Sequence, residues 1–446
     1  MSRFAFVLFL ACFCLPLRAA EPGFKAGVAR ANITPKEFMW MAGYGSRNKI
    51  AEGKTHDLFA KALALEDSNG QRLVLVTTDL IGLPRTVSEV VFESVKDKAK
   101  LTRGQLLLNA SHTHCGPVVN DNLMDMYPLN DAQRKQVVDY TANLREALAK
   151  VVLDAVADLK PASISHGEGS ALFALNRREK KGDQIINGFN REGPVDHSVP
   201  VLKVEAGGKL LAVVFGYACH NTTQSYYQWC GDYAGFAQIE IEKAHPGTTA
   251  LYWIGCGGDV NPQPRGKEDL CIKHGKELAD GVAKALKGEM KPITGSLAGK
   301  YATVDLKLDG SATKESLQAD QLRNSLAHKN RATRLLKMLA ETGSMTSNYP
   351  HYPVQVWKLG DQLTWVGLGG EVVLDYAIRI RKELPKNRTV WVAGYCNDVM
   401  AYIPSKRVLI EGGYEGESSM VYYGLPGKWA DTIEETILAK VHELAK

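Results

Sequence analysis

The stretch LLNASHTHCGP, residues 107–117, closes an apolar run with two histidines spaced i, i+2. Alternate side chains of an extended strand point the same way, so the rings of His112 and His114 can face one point. A neutral imidazole is a good ligand for zinc and similar ions. On this stretch alone, a metal site at a strand end and two unrelated loop histidines are both open interpretations.

Strands and helices alternate along the chain on both sides of this stretch. Short apolar or β-branched runs predict strands, and apolar residues at helical spacing predict helices. The predicted strands cover residues 72–79, 105–110, 210–217 and 248–254, and the predicted helices cover 131–159, 233–244 and 268–286. This alternation predicts an α/β fold in which the polar ends of the strands share a cleft.

The last third of the chain continues the pattern. It predicts a long charged helix over 314–341, a hairpin over 354–368 that turns at Gly360-Asp361, and helices over 371–384 and 429–444. No repeat and no Pro/Gly/Ser-rich linker divides the chain. We therefore expect residues 21–446 to form one large catalytic domain of mixed β-sheets flanked by helices, with its site at the strand ends.

Residues 1–20 have the pattern of a secretory signal peptide, with Arg3, an apolar run over 4–17 and small residues at 19–20. No later segment has the roughly 18 consecutive apolar residues that span a bilayer. We expect a protein that is secreted or periplasmic and has no transmembrane segment. Its net charge of +5 over 446 residues is too small to indicate nucleic-acid binding.

Three later motifs also place polar residues after apolar runs. CHNTT (219–223) puts His220 after a predicted strand, GCGGDVNP (255–262) is a glycine-rich loop, and GGE (369–371) puts Glu371 at the first turn of a predicted helix. Such loops bring backbone N–H groups close to a ligand and suit an oxyanion. The structural alternatives are a packed histidine and a glutamate that stabilises the helix dipole.

Six cysteines follow the leader, and four of them stand beside candidate site residues. They are Cys115, Cys219, Cys230, Cys256, Cys271 and Cys396. No CxxC pair exists among them, so we expect small buried residues rather than thiolate ligands.

In their order and residue identities, these motifs resemble those of the neutral/alkaline ceramidase family. Its members are secreted zinc amidases that split the N-acyl bond of ceramide. The resemblance runs from about residue 26 to about residue 444. It rests on ASHTHCGP (110–117), CHNT (219–222), GDVNP (258–262), GE (370–371) and NDVMAYIP (397–404) followed by YEG (414–416). It implies one zinc ion held by four ligands, which are His112, His220, Glu371 and Tyr402. Tyr395 and Tyr414 lie near Tyr402 in the sequence and are alternative tyrosine ligands.

The resemblance also implies roles for residues around the metal. Asn176-Arg177 is similar to a family segment whose arginine lies in the active site, so Arg177 would bind a polar or anionic part of the substrate. The alternative is a solvated arginine in the basic run RREKK (177–181). His114 would transfer a proton or stabilise an oxyanion. Asp79 would orient a ligand histidine through a hydrogen bond to the ring nitrogen that does not bind the metal.

Asn261 departs from the family pattern. Ceramidases typically carry GDVSP, whose serine is implicated in catalysis, and this chain has GDVNP at residues 258–262. Asparagine is no hydroxyl nucleophile, but its amide can donate a hydrogen bond to an oxyanion. A mechanism in which zinc activates a water at a pKa of about 7 survives this exchange.

Three functions remain open on the sequence. The first is hydrolysis of a small-molecule N-acyl lipid such as ceramide, for which peripheral membrane contact would be natural. The sequence ends at Lys446, so we expect the C-terminal β-sandwich domain of longer members to be absent, which would weaken lipid engagement. The second is hydrolysis of a carbohydrate- or peptide-derived substrate in an open polar cleft, and the third is a non-catalytic binding homologue. The ligand set would also accept manganese or iron.

Overall fold

The structure is a computed structural model that describes residues 23–446. The predicted signal peptide, residues 1–20, lies outside the described residues. The strands are β1 (Phe24–Asn32), β2 (Gly53–Lys54), β3 (Phe59–Asp67), β4 (Arg72–Thr78), β5 (Leu106–Ala110), β6 (Lys160–Ser170), β7 (Ala174–Lys181), β8 (Gln184–Asn190), β9 (Ser198–Ala206), β10 (Lys209–Tyr217), β11 (Gln228–Trp229), β12 (Thr249–Ile254), β13 (Val260–Pro262), β14 (Lys291–Ile293), β15 (Leu297–Asp309), β16 (Asn348–Leu359), β17 (Leu363–Leu368), β18 (Glu371–Val372), β19 (Thr389–Ala393), β20 (Tyr402–Ile403) and β21 (Lys428–Trp429). The helices are α1 (Arg85–Ala99), α2 (Asp131–Ala157), α3 (Asp232–Ala244), α4 (Glu268–Lys287), α5 (Lys314–Leu322), α6 (Leu326–Thr342), α7 (Leu374–Glu383), α8 (Lys406–Glu411), α9 (Gly413–Gly416) and α10 (Ile433–Ala445).

Two large mixed sheets dominate the architecture. The first has the strand order β12-β10-β9-β6-β1-β3-β4-β5, with β14 added to β6, and the second has the order β19-β17-β16-β15-β21. Most neighbours run antiparallel, but β4 with β5, β10 with β12, and β17 with β19 are parallel. The expected α/β fold of mixed sheets and helices is confirmed.

The two sheets pack face to face, and helices cover their outer faces. Leu75 of β4 and Trp253 of β12 share one apolar layer with Trp365 of β17 and Trp391 of β19. Val76, the residue after Leu75 in β4, points to the opposite face of the sheet, into the layer under α1 and α2. Alternation along each strand therefore fills both layers. Helices α3 and α4 cover another part of the first sheet, and α7 and α10 cover the second sheet.

Asn109 of β5 joins the two edge strands of the nine-stranded sheet. Its Oδ1 accepts a hydrogen bond from the Ile254 N–H of β12 at 3.0 Å, and its Nδ2 donates to the Gly394 carbonyl at 2.8 Å. The side chain is fully buried, so these bonds replace lost hydration. These bonds hold together the ends of β5 and β12 and the segment after β19, from which the polar loops leave the sheet.

The predicted single helix over 314–341 is wrong, because the chain forms α5 and α6 with a break at residues 323–325. The break lets Leu317 of α5 pack against Ala332 and Leu335 of α6 in a small core of their own. One straight helix would leave these side chains in solvent. Similarly, Trp429 belongs to β21, and the last helix begins only at Ile433.

Among residues 23–446, no helix combines the length and the apolar character needed to cross a membrane.

Candidate metal centre

The loops after β5 and β10 lie side by side and carry His112 and His220. Thr113 and Asn221 form a parallel bridge, and the His114 N–H donates to the Asn221 carbonyl at 3.2 Å. His112 adopts the left-handed region with φ of 63° and is held there by its N–H bond to the Leu80 carbonyl at 2.9 Å. Such a conformation in a non-glycine residue is found preferentially at functional sites.

Backbone carbonyls fix the orientation of both rings. The Nδ1 atom of His112 lies 2.6 Å from the Ile81 carbonyl, and the Nδ1 atom of His220 lies 2.7 Å from the Gly257 carbonyl. A carbonyl only accepts, so each Nδ1 carries the proton and each Nε2 keeps its lone pair in the neutral ring. This is the arrangement of metal-binding histidines.

Glu371 reaches the site from a short strand, and the predicted first turn of a helix at this residue is wrong. Glu371 pairs in register with Tyr402 through the parallel strands β18 and β20, and α7 begins only at Leu374. The Asp259 carboxylate accepts the Leu374 N–H at 2.9 Å and fixes that helix start. Gly370 adopts φ of 73°, where a Cβ atom would meet Ile403 at 2.5 Å.

The donor atoms of these elements converge on one point. Glu371 Oε2 lies 3.0 Å from His112 Nε2 and 3.1 Å from His220 Nε2, and all three residues are at most 3% exposed. The Tyr402 hydroxyl lies 3.1 Å from His220 Nε2. Two imidazole lone pairs and a carboxylate oxygen repel one another unless a cation lies between them. The donor set therefore fits a metal ion such as zinc, which takes nitrogen and oxygen ligands at about 2.0–2.2 Å.

The charge states of the donors suit the same ion. Burial raises the pKa of Glu371, but His112 and His220 outweigh it and hold that pKa well below the usual range. Burial, and then the Arg177 charge, lower the pKa of His220 to about 4. At neutral pH the site thus presents an ionised carboxylate and a neutral imidazole, the forms that bind metals.

The His114 ring lies against the other donors, but no backbone carbonyl in the described part of the chain holds it as the carbonyls hold His112 and His220. The ligand atoms of His112, His114 and His220 lie within 4.8 Å of one another, and His114 Nε2 is 3.1 Å from His112 Nε2. Within residues 23–446, His114 Nδ1 has no hydrogen-bond partner. The Tyr44 ring covers His114 at a centroid distance of 4.7 Å. His114 therefore lies beside the donor cluster, and its role in proton transfer stays a prediction.

Arg177 lies inside the site, so the solvated alternative is wrong. Its side chain is 4% exposed. It donates to Glu415 Oε1 at 2.7 Å, to the Tyr402 hydroxyl at 2.9 Å and to Asn261 Oδ1 at 3.2 Å. Its Nη1 also lies 3.1 Å from His220 Nε2. The guanidinium thus borders the cluster with several directed donors.

Asn261 links Arg177 to the solvent side of the protein. Its Nδ2 donates to the Asn187 Oδ1 atom of the β7–β8 hairpin at 3.3 Å, and Asn187 is exposed. A polar path therefore leads from solvent through two amides to the guanidinium.

Asp79 does not orient a histidine, which corrects that prediction. Its carboxylate accepts the Phe59 N–H at 2.9 Å and the Gln238 Nε2–H at 3.2 Å. The Ile81 carbonyl holds His112 instead. The six described cysteines are buried with free thiols, as expected, and none belongs to the histidine cluster.

Three residues of the site were not predicted as donors or partners of the metal ligands, namely Tyr423, Glu415 and Asn187, whereas Tyr395 was an alternative tyrosine ligand. The Tyr423 hydroxyl donates to Glu371 Oε1, and the Tyr395 hydroxyl lies 3.5 Å from Glu371 Oε2. Glu415 pairs with Arg177, and Asn187 contacts Asn261. Tyr395 and Glu415 stand in or beside motif segments, whereas Tyr423 and Asn187 have no sequence signal.

Comparison with known families gives an independent result. A sequence profile described as neutral/alkaline non-lysosomal ceramidase, N-terminal, matches residues 24–299. Neutral ceramidase B of Dictyostelium discoideum is 25% identical over 249 residues, which are 51% of this chain and 33% of that protein. Neutral ceramidase A of the same organism is 24% identical over 254 residues, covering 51% and 34%. The matched part thus spans about a third of the length of these relatives.

Solved structures extend the similarity along the chain. The neutral ceramidase of Pseudomonas aeruginosa matches with a TM-score of 0.72 at 19% identity, over 96% of this chain and 74% of that one. A ceramidase complexed with C2 matches with a TM-score of 0.73 at 20% identity, over 95% and 75%. These structures share the fold, including the region beyond residue 299.

Proposed function

Because the chain belongs to the neutral/alkaline non-lysosomal ceramidase family, we propose that it is a zinc-dependent hydrolase that cleaves the N-acyl amide bond of a ceramide-like lipid. The observation that carries this proposal is the convergence of His112 Nε2 and His220 Nε2 on Glu371 Oε2 at 3.0 and 3.1 Å. Unprotonated nitrogens buried against a carboxylate repel it, and a bound cation removes that repulsion.

In this proposal four residues hold one zinc ion, which are His112, His220, Glu371 and Tyr402. When bound, zinc lowers the pKa of a coordinated water to about 7 and polarises the amide carbonyl. The imidazoles also suit manganese and iron, so the identity of the metal is part of the proposal.

Arg177 and Asn261 stabilise the charge that develops on the carbonyl oxygen. The guanidinium is buried and fixed by Glu415, so it meets a developing oxyanion without reorganisation. Asn261 keeps Nη1 of Arg177 in place through Oδ1, and its Nδ2, which donates to Asn187, is the group that it would offer to the substrate. Asn261 thus acts as a hydrogen-bonding residue where the family serine would stand.

His114 holds or passes a proton at Nε2, next to the metal ligands. That atom lies 3.1 Å from His112 Nε2, on the side of the ring that faces the cluster. Burial lowers the pKa of His114 well below the usual range, so the neutral ring would take up a proton first and then pass it to the departing amine.

A second candidate substrate is an N-acylated carbohydrate or peptide. The specific observation in its favour is the amide-lined approach formed by Asn187 and Asn261, which offers hydrogen bonds rather than an apolar wall. The reaction and the metal would be the same, and only the amine part of the substrate would differ.

The experiment is a hydrolysis panel with the purified chain reconstituted with zinc, manganese or iron. Short-chain ceramide, an N-acyl amino acid and an N-acyl hexosamine are compared by release of the free acid. Release from ceramide supports the lipid proposal, and faster release from the hexosamine or amino acid supports the second candidate. Metal binding with no release from any member of the panel contradicts both and leaves a non-catalytic binding homologue.

We also propose that the protein acts after export, to a periplasm or outside the cell. The support is the signal-peptide pattern in residues 1–20. N-terminal sequencing of protein from the exported fraction tests it, and a mature start near residue 21 is expected. Retention of the whole chain in the cytosol contradicts it.

A further inference from the structure

Cys230 lies directly beneath the loop that carries the motif histidines. Its N–H donates to the Cys115 carbonyl at 3.1 Å, and its own carbonyl accepts a bond from Thr113 Oγ1 at 2.7 Å. These bonds flank His114 on both sides. A covalent change at Cys230 would therefore reach the backbone of the metal centre.

The crossing of α3 and α4 brings Cys271 to Cys230. A Cβ atom at Gly275 of α4 would lie 2.5 Å from Phe236 Cβ and 2.9 Å from the Tyr233 carbonyl, so the two helices touch there. Cys271 precedes Gly275 by one turn on the same helix face, which places it near the start of α3. It packs in one apolar cluster with Tyr233 and Ala234 of the first turn of α3, next to Cys230 in the chain, and both cysteines are fully buried.

His56 completes this group as a fixed proton acceptor. Its Nδ1 lies 3.0 Å from the Asp57 carbonyl, so Nε2 is the acceptor in the neutral ring, and Nε2 lies 3.4 Å from Cys230 Sγ. The Gly231 N–H donates to the same Nε2 at 3.2 Å. A Cβ atom at Gly235 would lie 2.5 Å from the ring, so the ring has no room to turn away.

The surroundings make Cys230 unlike the other cysteines of residues 23–446. The hydrogen bond from Cys271, and then the His56 contact, outweigh burial and lower the pKa of Cys230 to about 7. Burial raises the pKa of Cys115, Cys219 and Cys396 instead. Cys230 is thus the described thiol with the most thiolate character, and thiolates are the reactive form.

We propose that Cys230 and Cys271 form a redox-active dithiol that a small hydroperoxide converts into a disulfide between α4 and the loop before α3. The existence of this dithiol does not rest on the amide hydrolysis proposed above. A small oxidant is specified because both sulfur atoms are buried, which keeps protein disulfides from reaching them.

The chemistry balances with one peroxide. The Cys230 thiolate attacks one oxygen of hydrogen peroxide, the O–O bond breaks, and the hydroxide that leaves takes the proton held on His56 to become water. Cys230 is then a sulfenic acid. The Cys271 sulfur attacks the Cys230 sulfur, the S–O bond breaks, and the hydroxyl leaves with the Cys271 proton as a second water. Two thiols are oxidised and one peroxide is reduced.

The test is peptide mapping of the folded full chain after limited hydrogen peroxide, with free thiols blocked before digestion. We expect one linked pair of peptides that contains Cys230 and Cys271 and that disappears on reduction. No linked pair, or a link from Cys230 to Cys115, would overturn the proposal. This result needs only the wild-type chain, so it stands even if a variant fails to fold.

Two variants sharpen the result. Cys396→Ser changes a buried thiol outside this group, and the link must still form. His56→Gln removes the basic nitrogen that takes the thiol proton, and we expect the link to form about tenfold more slowly at pH 7, because the thiolate fraction falls. An unchanged rate in a folded His56→Gln protein would show that His56 does not activate Cys230.

Discussion

The Arg177 guanidinium donates a hydrogen bond from Nη1 to Asn261 Oδ1 at 3.2 Å. Asn261 thereby fixes the cation that borders the donor cluster, and its other amide atom holds Asn187 of the β7–β8 hairpin. The bond joins β13, which carries Asn261, to β7, which carries Arg177, and these strands are neighbours in the β13-β7-β8 sheet. We therefore expect a substitution of Asn261 to alter the positions of the Arg177 guanidinium, the β7–β8 hairpin and the bound substrate together.

Arg177→Lys tests the role of the guanidinium. Lysine keeps the charge but lacks the fork that reaches Glu415, Tyr402 and Asn261 at once. We expect kcat/KM for the best amide substrate to fall about 100-fold, mainly through kcat, with metal content unchanged. A folded, metal-loaded variant with wild-type kcat would remove Arg177 from the mechanism.

Asn261→Ser and Asn261→Leu form a matched pair. Serine keeps a hydrogen-bonding group near Arg177 but loses Asn187, so we expect a loss of kcat/KM of at most about tenfold. Leucine is of similar size and leaves Nη1 of Arg177 unsatisfied, so we expect a loss of about 10- to 100-fold. Equal activity of the leucine variant and wild type would show that the amide is dispensable.

Glu415→Gln tests the buried charge network. The Glu415 carboxylate accepts from Arg177 at 2.7 Å and from Arg178 at 2.6 Å, and all three side chains are at most 4% exposed. Neutralising it leaves the buried Arg177 without a carboxylate partner and Arg178 with Glu411 alone, so we expect the free energy of unfolding to fall by about 3–5 kcal/mol in denaturant titrations. The control is Glu411→Gln, whose side chain is 31% exposed, with an expected loss of at most about 1 kcal/mol. Similar losses in both variants would contradict the assignment.

Asp398 predicts a pH dependence of stability. Burial raises its pKa to about 6, against the bonds from Tyr349 and the Arg85 N–H. A raised carboxyl pKa gives stability that is fully present below the unfolded value near 4 and is lost as pH rises through 6. The free energy of unfolding of wild type relative to Asp398→Asn should thus fall by about 3 kcal/mol between pH 4 and pH 8.

The control for this measurement has the opposite sign. Burial raises the pKa of Asp196, but Arg381 outweighs it and lowers that pKa. Wild type should therefore gain stability relative to Asp196→Asn as pH rises through the acid range. Parallel pH curves for wild type and Asp398→Asn would contradict the predicted burial effect.

The sheets and most helices could be predicted because apolar runs and helical spacing directly reflect burial. The helix over 314–341 could not, because the contact between Leu317 and Leu335 that favours the break forms only in the folded chain. The same holds for Glu371, whose charge and position suggested a helix start. Its strand pairing with Tyr402 depends on a segment far along the chain.

The site was partly predictable, since His112 and His220 follow apolar strands and stand in recognisable motifs. Family resemblance added Glu371, Tyr402 and Arg177, and the structure brings all three to the histidines. Tyr423 and Asn187 were missed because a single tyrosine or asparagine outside a motif gives no signal. Asp79 was misplaced because strand-end position alone does not say which way a carboxylate points.

The central claim is that His112, His220 and Glu371 hold one catalytic metal ion. The most direct measurement is elemental analysis of the purified protein together with its rate on the hydrolysis panel, for wild type, His112→Ala and the control His166→Ala. His166 is buried against Trp391, away from the donor cluster. We expect about one metal ion per chain and full activity in wild type and His166→Ala, and loss of both metal and at least about 1000-fold of the rate in His112→Ala. Retention of both metal and rate in folded His112→Ala would contradict the account.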